Sequence, residues 1–162
     1  MGTKKEQVPV TTRKGTVAIP ERLKDFDGEE YFAVLATDDA GTPYTSLISY
    51  ALTPDLKIAI FATPKDTRKY RNILHSAQVA LLIDNRSRNK HKLLETEAIT
   101  IIGTAKHVRR GKKWEELSKI FLKKHPDLEE FLHASTTALI AVQIIQYVHV
   151  GHFQTLSVWE HK

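Results

Sequence analysis

In the stretch FATPKDTRKYRNI, four side chains stand where chemistry is easy to arrange. Thr63 ends an apolar run, and Thr67, Arg68 and Lys69 follow where a helical pattern begins. The first turn of a helix has backbone N–H groups without intrahelical partners and the positive end of the helix dipole, so it attracts anions. Two cations there cost roughly 0.3 to 1 kcal/mol each when exposed, unless an anion sits between them. A guanidinium offers a fork for two oxygens, an ammonium a point charge, and the threonines neutral donors; that set suits a phosphate monoester. Two solvated cations at an exposed helix start would give the same letters. A Walker pattern and GxGxxG are both absent.

Other reactive groups are less well placed. His149 and His152 stand three apart in a run that reads as a strand, where alternation sends them to opposite faces unless Gly151 bends the chain. His125 precedes Pro126 at a helix end, where an imidazolium would suit the dipole. Asp25 and Asp27 lie near another helix end, and Asp38 and Asp39 lie in a turn, with no reason to act as an acid–base pair. Ser135, Thr136 and Thr137 carry no nucleophile signature. No catalytic residue and no metal ligand is assigned.

Composition narrows the classes. The 162 residues, 41% hydrophobic and 27% charged, have the length and apolar content of one domain with a real core. The absence of cysteine excludes disulfides, thiolate nucleophiles, Cys-ligated zinc and iron–sulfur clusters. No apolar run approaches the roughly 18 to 20 residues that span a bilayer, and the N-terminus lacks the apolar segment of a signal peptide. A soluble, cytoplasmic protein without a membrane partner is expected. A net charge of +5 favours anionic partners without requiring nucleic acid.

The elements that must position these residues read mostly as strands. Residues 1–18 form a basic, Pro/Gly-marked arm, expected to be flexible, and 19–162 a single domain. A helix is expected from Pro20 to Gly28. YFAVLAT and YTSLISYAL, joined by DDAGTP, read as a hairpin, and KIAIFAT is a third strand after the TPDL turn. A helix over 66–75 should turn Tyr70, Ile73 and Leu74 to the core. QVALLID is a fourth strand, and EAITIIGTAKHV a fifth, with Gly103 marking a bulge or barrel corner. A helix with Trp114, Leu117, Ile120 and Phe121 on one face breaks at Pro126, and a short helix runs on to His133. Two further strands close the chain. The order favours a mainly β (α+β) fold: an antiparallel six- to seven-stranded split β-barrel with helical insertions.

YFAVLATDDAGTPYTSLISYAL, IAIFATPKDTRKYRNILHSAQVALLID and ITIIGTAKHV, in that order, resemble the pyridoxamine 5′-phosphate oxidase-related FMN-binding split-barrel family. The likeness covers residues 20 to 110 clearly and YVHVGHFQTLSVW more loosely. It implies that the FMN phosphate lies at Thr63, Arg68 and Lys69, with Thr67 beside them. It also implies that the isoalloxazine ring lies along Ser46, Leu47, Ile48 and Ser49, in a homodimer whose two flavins sit at the subunit interface. Asn85 is a donor to the ring or a cap on its strand; Gln154 and Trp159 close over the flavin or fill the core. The oxidase itself carries a C-terminal Arg-x-His element, whereas this chain has no arginine after Arg110, which argues against pyridoxamine phosphate oxidation. The basic loop Arg86, Arg88, Lys90, Lys92 would greet an acidic partner such as a nicotinamide or deazaflavin electron donor, or simply face water.

Three functions follow. The first is an FMN-dependent oxidoreductase. The second is a carrier module for FMN, or for haem through a histidine. The third, ranked last, is a nucleic-acid binder using Lys4, Lys5, Arg13 and Lys14 with Arg109, Arg110, Lys112 and Lys113; the cations lack the interleaved aromatics that single strands prefer.

Overall fold

The computed structural model of the chain describes residues 19–151 and 155–161. The expected arm over 1–18, His152 and Gln154 lie outside the described residues.

Helix α1 (Ile19–Glu29) buries Ile19, Leu23 and Phe26, a spacing of four and three that gives a helix one apolar stripe. Strands β1 (Phe32–Asp39) and β2 (Thr42–Leu52) form a hairpin closed by Ala40 and Gly41, both at positive φ (51° and 87°), the two-residue turn whose twist matches paired strands. Thr53 to Leu56 make the next bend: the Thr53 hydroxyl donates to Asp55 Oδ1 at 2.6 Å, and β3 (Ile58–Pro64) follows. Helix α2 (Arg68–His75), β4 (Gln78–Asp84) and β5 (Ala98–Val108) come next, with a single 3-10 turn at Leu93–Glu95 in the β4–β5 connection. Helix α3 (Lys112–Lys124) ends before Pro126 and α4 (Glu129–His133) is short, as the sequence predicts. Strands β6 (Thr137–Gly151) and β7 (Thr155–Glu160) complete the fold.

The sheet order is β3-β2-β1-β4-β5-β6-β7, every pairing antiparallel, and β3 also pairs with β6. Six strands therefore close into a barrel, and β7 is an extra strand on β6. One edge of β6 runs along β5; the other pairs with β3 over Thr137 to Gln143 and with β7 over Gln146 to Gly151. Gly103 sits at the expected bulge, where the β5–β6 register shifts, and a Cβ there would meet the Gln143 carbonyl oxygen at 2.4 Å.

Inside the barrel, Leu35, Tyr50, Phe61, Leu81, Ile83, Ile99, Ile101, Ile140 and Tyr147 pack against Leu23 and Phe26 of α1. Burial of each such side chain contributes roughly 1.5 to 3 kcal/mol. A second cluster lies outside the barrel, where Trp114, Leu117 and Phe121 of α3 cover Ile60 and Leu139. Among the described residues, no helix is long and apolar enough to cross a membrane.

Helix α2 departs from the expected pattern. Tyr70 packs on the core and Ile73 is buried, but Leu74 is 59% exposed and Asn72 is buried in its stead. The Asn72 amide donates to the Thr37 hydroxyl at 3.0 Å, so a satisfied polar group takes the place that periodicity assigns to a leucine.

Candidate functional site

The apolar strand β3 ends at Pro64 and turns into α2, whose N-cap is Thr67 in extended conformation. The Thr67 hydroxyl donates to the Pro64 carbonyl at 2.9 Å and accepts the Tyr70 N–H at a long 3.4 Å. Thr63, buried at the strand end, sets its hydroxyl 3.0 Å from that of Thr67 and 3.3 Å from the Pro64 carbonyl. Among the described residues no acceptor meets the backbone N–H groups of Arg68 and Lys69. No acidic side chain stands in the first turn of α2. Arg68 turns to the β1–β2 hairpin, where its Nη2 lies 3.2 Å from Asp39 Oδ2 and its guanidinium 4.6 Å from the centre of the Tyr44 ring. That pair is nearly half exposed on both sides, 45% and 47%, so it is worth about 0 to 1 kcal/mol and exchanges readily for another anion. Lys69 has no ion-pair partner among the described residues.

Strand β2 carries the other predicted group. Its alternation turns Ile48 and Tyr50 inward and leaves Leu47 exposed on the outer face with Ser49 partly covered beside it. Only Tyr50, Ala51 and Leu52 of β2 pair with β3. Since the Tyr50 N–H donates to Tyr31 O, the even-numbered residues bond to β1, and Thr45, Leu47 and Ser49 present backbone groups to the gap between β2 and β3. This is the split in the barrel, and it begins beside α2. Ser46 Oγ is buried without a hydrogen-bond partner among the described residues.

Two predicted residues lie elsewhere. Asn85 is buried and its side chain is spent on the β4–β5 connection: Oδ1 accepts the Glu97 N–H at 2.8 Å, and Nδ2 donates to Glu97 Oε2 at 3.4 Å. Trp159 of β7 packs on Tyr147 with ring centres 5.4 Å apart, and Tyr147 bonds Leu56 O at 2.5 Å. Leu56 lies in the bend just before β3 and Thr63 near the strand's end, separated by about 20 Å of chain, so within one chain Trp159 stands at the opposite end of the barrel from Thr67.

Several polar groups that the sequence leaves unassigned are gathered by the fold. Arg22 of α1 grips the Glu97 carboxylate with both Nε and Nη2, and His149 Nε2 donates to Glu97 Oε1 at 3.0 Å. Burial alone would raise the Glu97 carboxyl; hydrogen bonds from Arg22 and His149 outweigh it and hold the group below the usual carboxylate range. Lys124 bonds Asp27 at 2.8 Å and lies 3.8 Å from the Tyr50 ring centre; burial lowers its pKa against the opposing pull of Asp27. His125, expected as a cation at a helix end, is instead buried, donates to Tyr50 O at 2.7 Å, and is pushed by burial below the ordinary imidazole range. No local signal reveals these contacts, because the partners are 52 to 97 residues apart.

A closed six-stranded antiparallel barrel, split beside a capped helix and flanked by an extra strand, defines the split-barrel class. The family model "Pyridoxamine 5′-phosphate oxidase" matches residues 19–149, and the chain belongs to that family. Among solved structures, the haem binding protein of Mycobacterium smegmatis superposes with a TM-score of 0.78 at 16% identity, over 90% of this chain and 59% of that one. A haem storage protein of Vibrio cholerae gives 0.67 at 20% identity, over 76% and 88%. General Stress Protein 26 of Bacillus anthracis gives 0.66 at 14% identity, over 90% and 100%. At these identities the likeness is one of fold. No curated protein matches the chain by sequence.

Proposed function

We propose that the chain is a cytoplasmic FMN-binding flavoprotein that works as a homodimer and transfers hydride or electrons through the bound flavin. The observation that carries the reading is the α2 start: two backbone N–H groups unpaired among the described residues, two cations without a carboxylate in the turn, and two adjacent hydroxyls. This donor set fits a phosphate monoester, with Arg68 leaving its weak pairing with Asp39 and the threonine hydroxyls turning from Pro64 O towards the anion. From there the split leads along β2, where Leu47 offers apolar surface and the backbones of Thr45, Leu47 and Ser49 offer donors and acceptors for the polar edge of a flavin ring. Ser46 and Ile48 face the other way and support the strand from inside. Asn85 holds the adjoining loop through Glu97. FMN supplies the redox chemistry, with a nicotinamide or deazaflavin as the electron donor.

The outer sheet face supports the dimer. Val158, Val148, Thr100, Leu82, Val34 and Leu47 are successive cross-strand neighbours from β7 to β2, a band that leaves Leu47 at 66% and Val158 at 48% exposure, with Phe32 at 58% beside it. A contiguous apolar band of this kind marks an association surface. In such a dimer Trp159 and Gln154 of one chain serve the flavin of the other.

The test is spectroscopic. Purified protein mixed with FMN and gel-filtered should remain yellow, elute as a dimer, and bleach when mixed anaerobically with NADH, NADPH or a reduced deazaflavin. Colourless protein overturns the flavin reading. The second reading, a carrier without turnover, is favoured by the haem-binding and haem-storage proteins that share the fold. Flavin retention without bleaching supports its FMN form, and a Soret band on haem addition to FMN-free protein supports its haem form.

A further inference from the structure

We propose that the cleft framed by Lys106, Arg109 and Lys113 binds a small amphiphilic organic anion, with a compact apolar body and a phosphate or carboxylate head, at a site separate from the phosphate corner of α2. The cleft has a volume of about 530 Å³ and lies on the outside of the barrel, where β5 passes β6 and gives way to α3. Its floor is apolar: Ile58 of β3, Val108 of β5 and Ala141 of β6. Lys106 stands opposite Ala141 in the β5–β6 register, Arg109 follows the strand, and Lys113 projects from the first turn of α3, where the helix field is already positive.

Among the described residues these three cations are not held by other side chains, unlike two of their neighbours. Neighbouring cations are tied down by the chain: Lys65 Nζ donates to Ser135 O at 2.9 Å, while Arg110 donates to His133 O at 3.0 Å and stacks 3.8 Å from the centre of the Trp114 indole. Lys106, Arg109 and Lys113 make no ion pair or side-chain hydrogen bond with any described residue, and no carboxylate lines the cleft. Glu116 borders the adjoining cleft that Lys113 also edges, but the two are not paired. His107 lines the same cleft. Burial first, then the charges of Lys65 and Arg109, hold its imidazole below its ordinary range, and its Nδ1 rests 3.0 Å from the Tyr70 hydroxyl. Cations that converge without acids above an apolar floor select a ligand with both a charged end and an apolar body.

The test is calorimetric titration of the full chain with 1-naphthyl phosphate and 1-naphthoate, which separate the two head groups, and with 1-naphthol and inorganic phosphate, which each carry only half of the recognised chemistry. At least one of the two naphthyl anions should bind tenfold or more tighter than both half-ligands. The combined Lys106→Gln, Arg109→Gln and Lys113→Gln variant should lose fivefold or more of that affinity with an unchanged melting temperature. The Arg68→Ala, Lys69→Ala variant should keep it, which separates failure here from failure of the flavin reading. A smaller loss, equal binding of 1-naphthol, a parallel loss in the α2 variant, or steeply salt-dependent retention of nucleic acid without binding of either naphthyl anion would overturn the proposal.

Discussion

Two polar regions of this barrel are built from the same kinds of side chain and arranged to opposite ends. At Glu97, the guanidinium of Arg22, the imidazole of His149 and the amide of Asn85 converge on one carboxylate. Among the described residues, His149 Nδ1 is the one buried side-chain polar atom of that group left without a partner. At the start of α2, Arg68, Lys69, Thr63 and Thr67 gather without a dedicated anion among the described residues: Arg68 makes only an exposed pair there, and two backbone N–H groups meet no acceptor. The first region supplies its own counter-ion and ties α1, β5 and β6 together. The second keeps its donors in reserve, which a fold tolerates only where water or a ligand can take them up.

Removing the centre of the first region should have the largest effect. Glu97→Ala leaves Arg22 and His149 without their shared carboxylate in a half-buried site, and we expect a loss of about 3 kcal/mol in urea unfolding. A loss below about 1 kcal/mol would dissolve the contrast. The double change Arg68→Ala, Lys69→Ala should do the reverse. Stability should hold within about 0.5 kcal/mol, since both side chains are at the surface, while FMN affinity falls tenfold or more, about 1.4 kcal/mol. Undiminished flavin binding would refute the phosphate assignment.

Acid sharpens the same comparison. The folded-state pKa of Glu97 lies below its unfolded value near 4.5, so its contribution is present above that value and is lost as pH falls through the lower folded pKa. Unfolding measured between about pH 6 and 3 should show a decline that is shallower in Glu97→Gln. Identical slopes would mean the carboxylate is not the group responsible. The smallest effect belongs to Asp39→Asn. Stability should change by under about 0.5 kcal/mol, and FMN affinity should rise by up to about twofold, because Arg68 no longer has a competing anion.

The strands and turns were legible because their signals are local. Alternation over YTSLISYAL, the turn residues at Ala40 and Gly41 and the glycine at the β5 bulge each act within a few residues. Periodicity assigns Leu74 to the buried face of α2 because the group that makes Asn72 burial acceptable, Thr37, is 35 residues upstream. His125 reads as a helix-end cation because nothing nearby in the sequence announces that Tyr50 O holds its ring inside. The candidate corner was readable for the same reason as the turns, since Thr63 to Lys69 is one continuous stretch. The gap in the barrel beside it was not, since it depends on how few residues of β2 reach β3.

The fifteen residues of β6 join β3, β5 and β7 at once. Ring closure thus waits on pairs such as Ile58 with Gln143, distant in the chain, which makes it a late and slow event of folding. A ribosome that has delivered only the first five strands holds a half-pipe with two bare rims, the form most exposed to pairing with its neighbours. For this protein, the hazard of synthesis ends when its longest strand emerges.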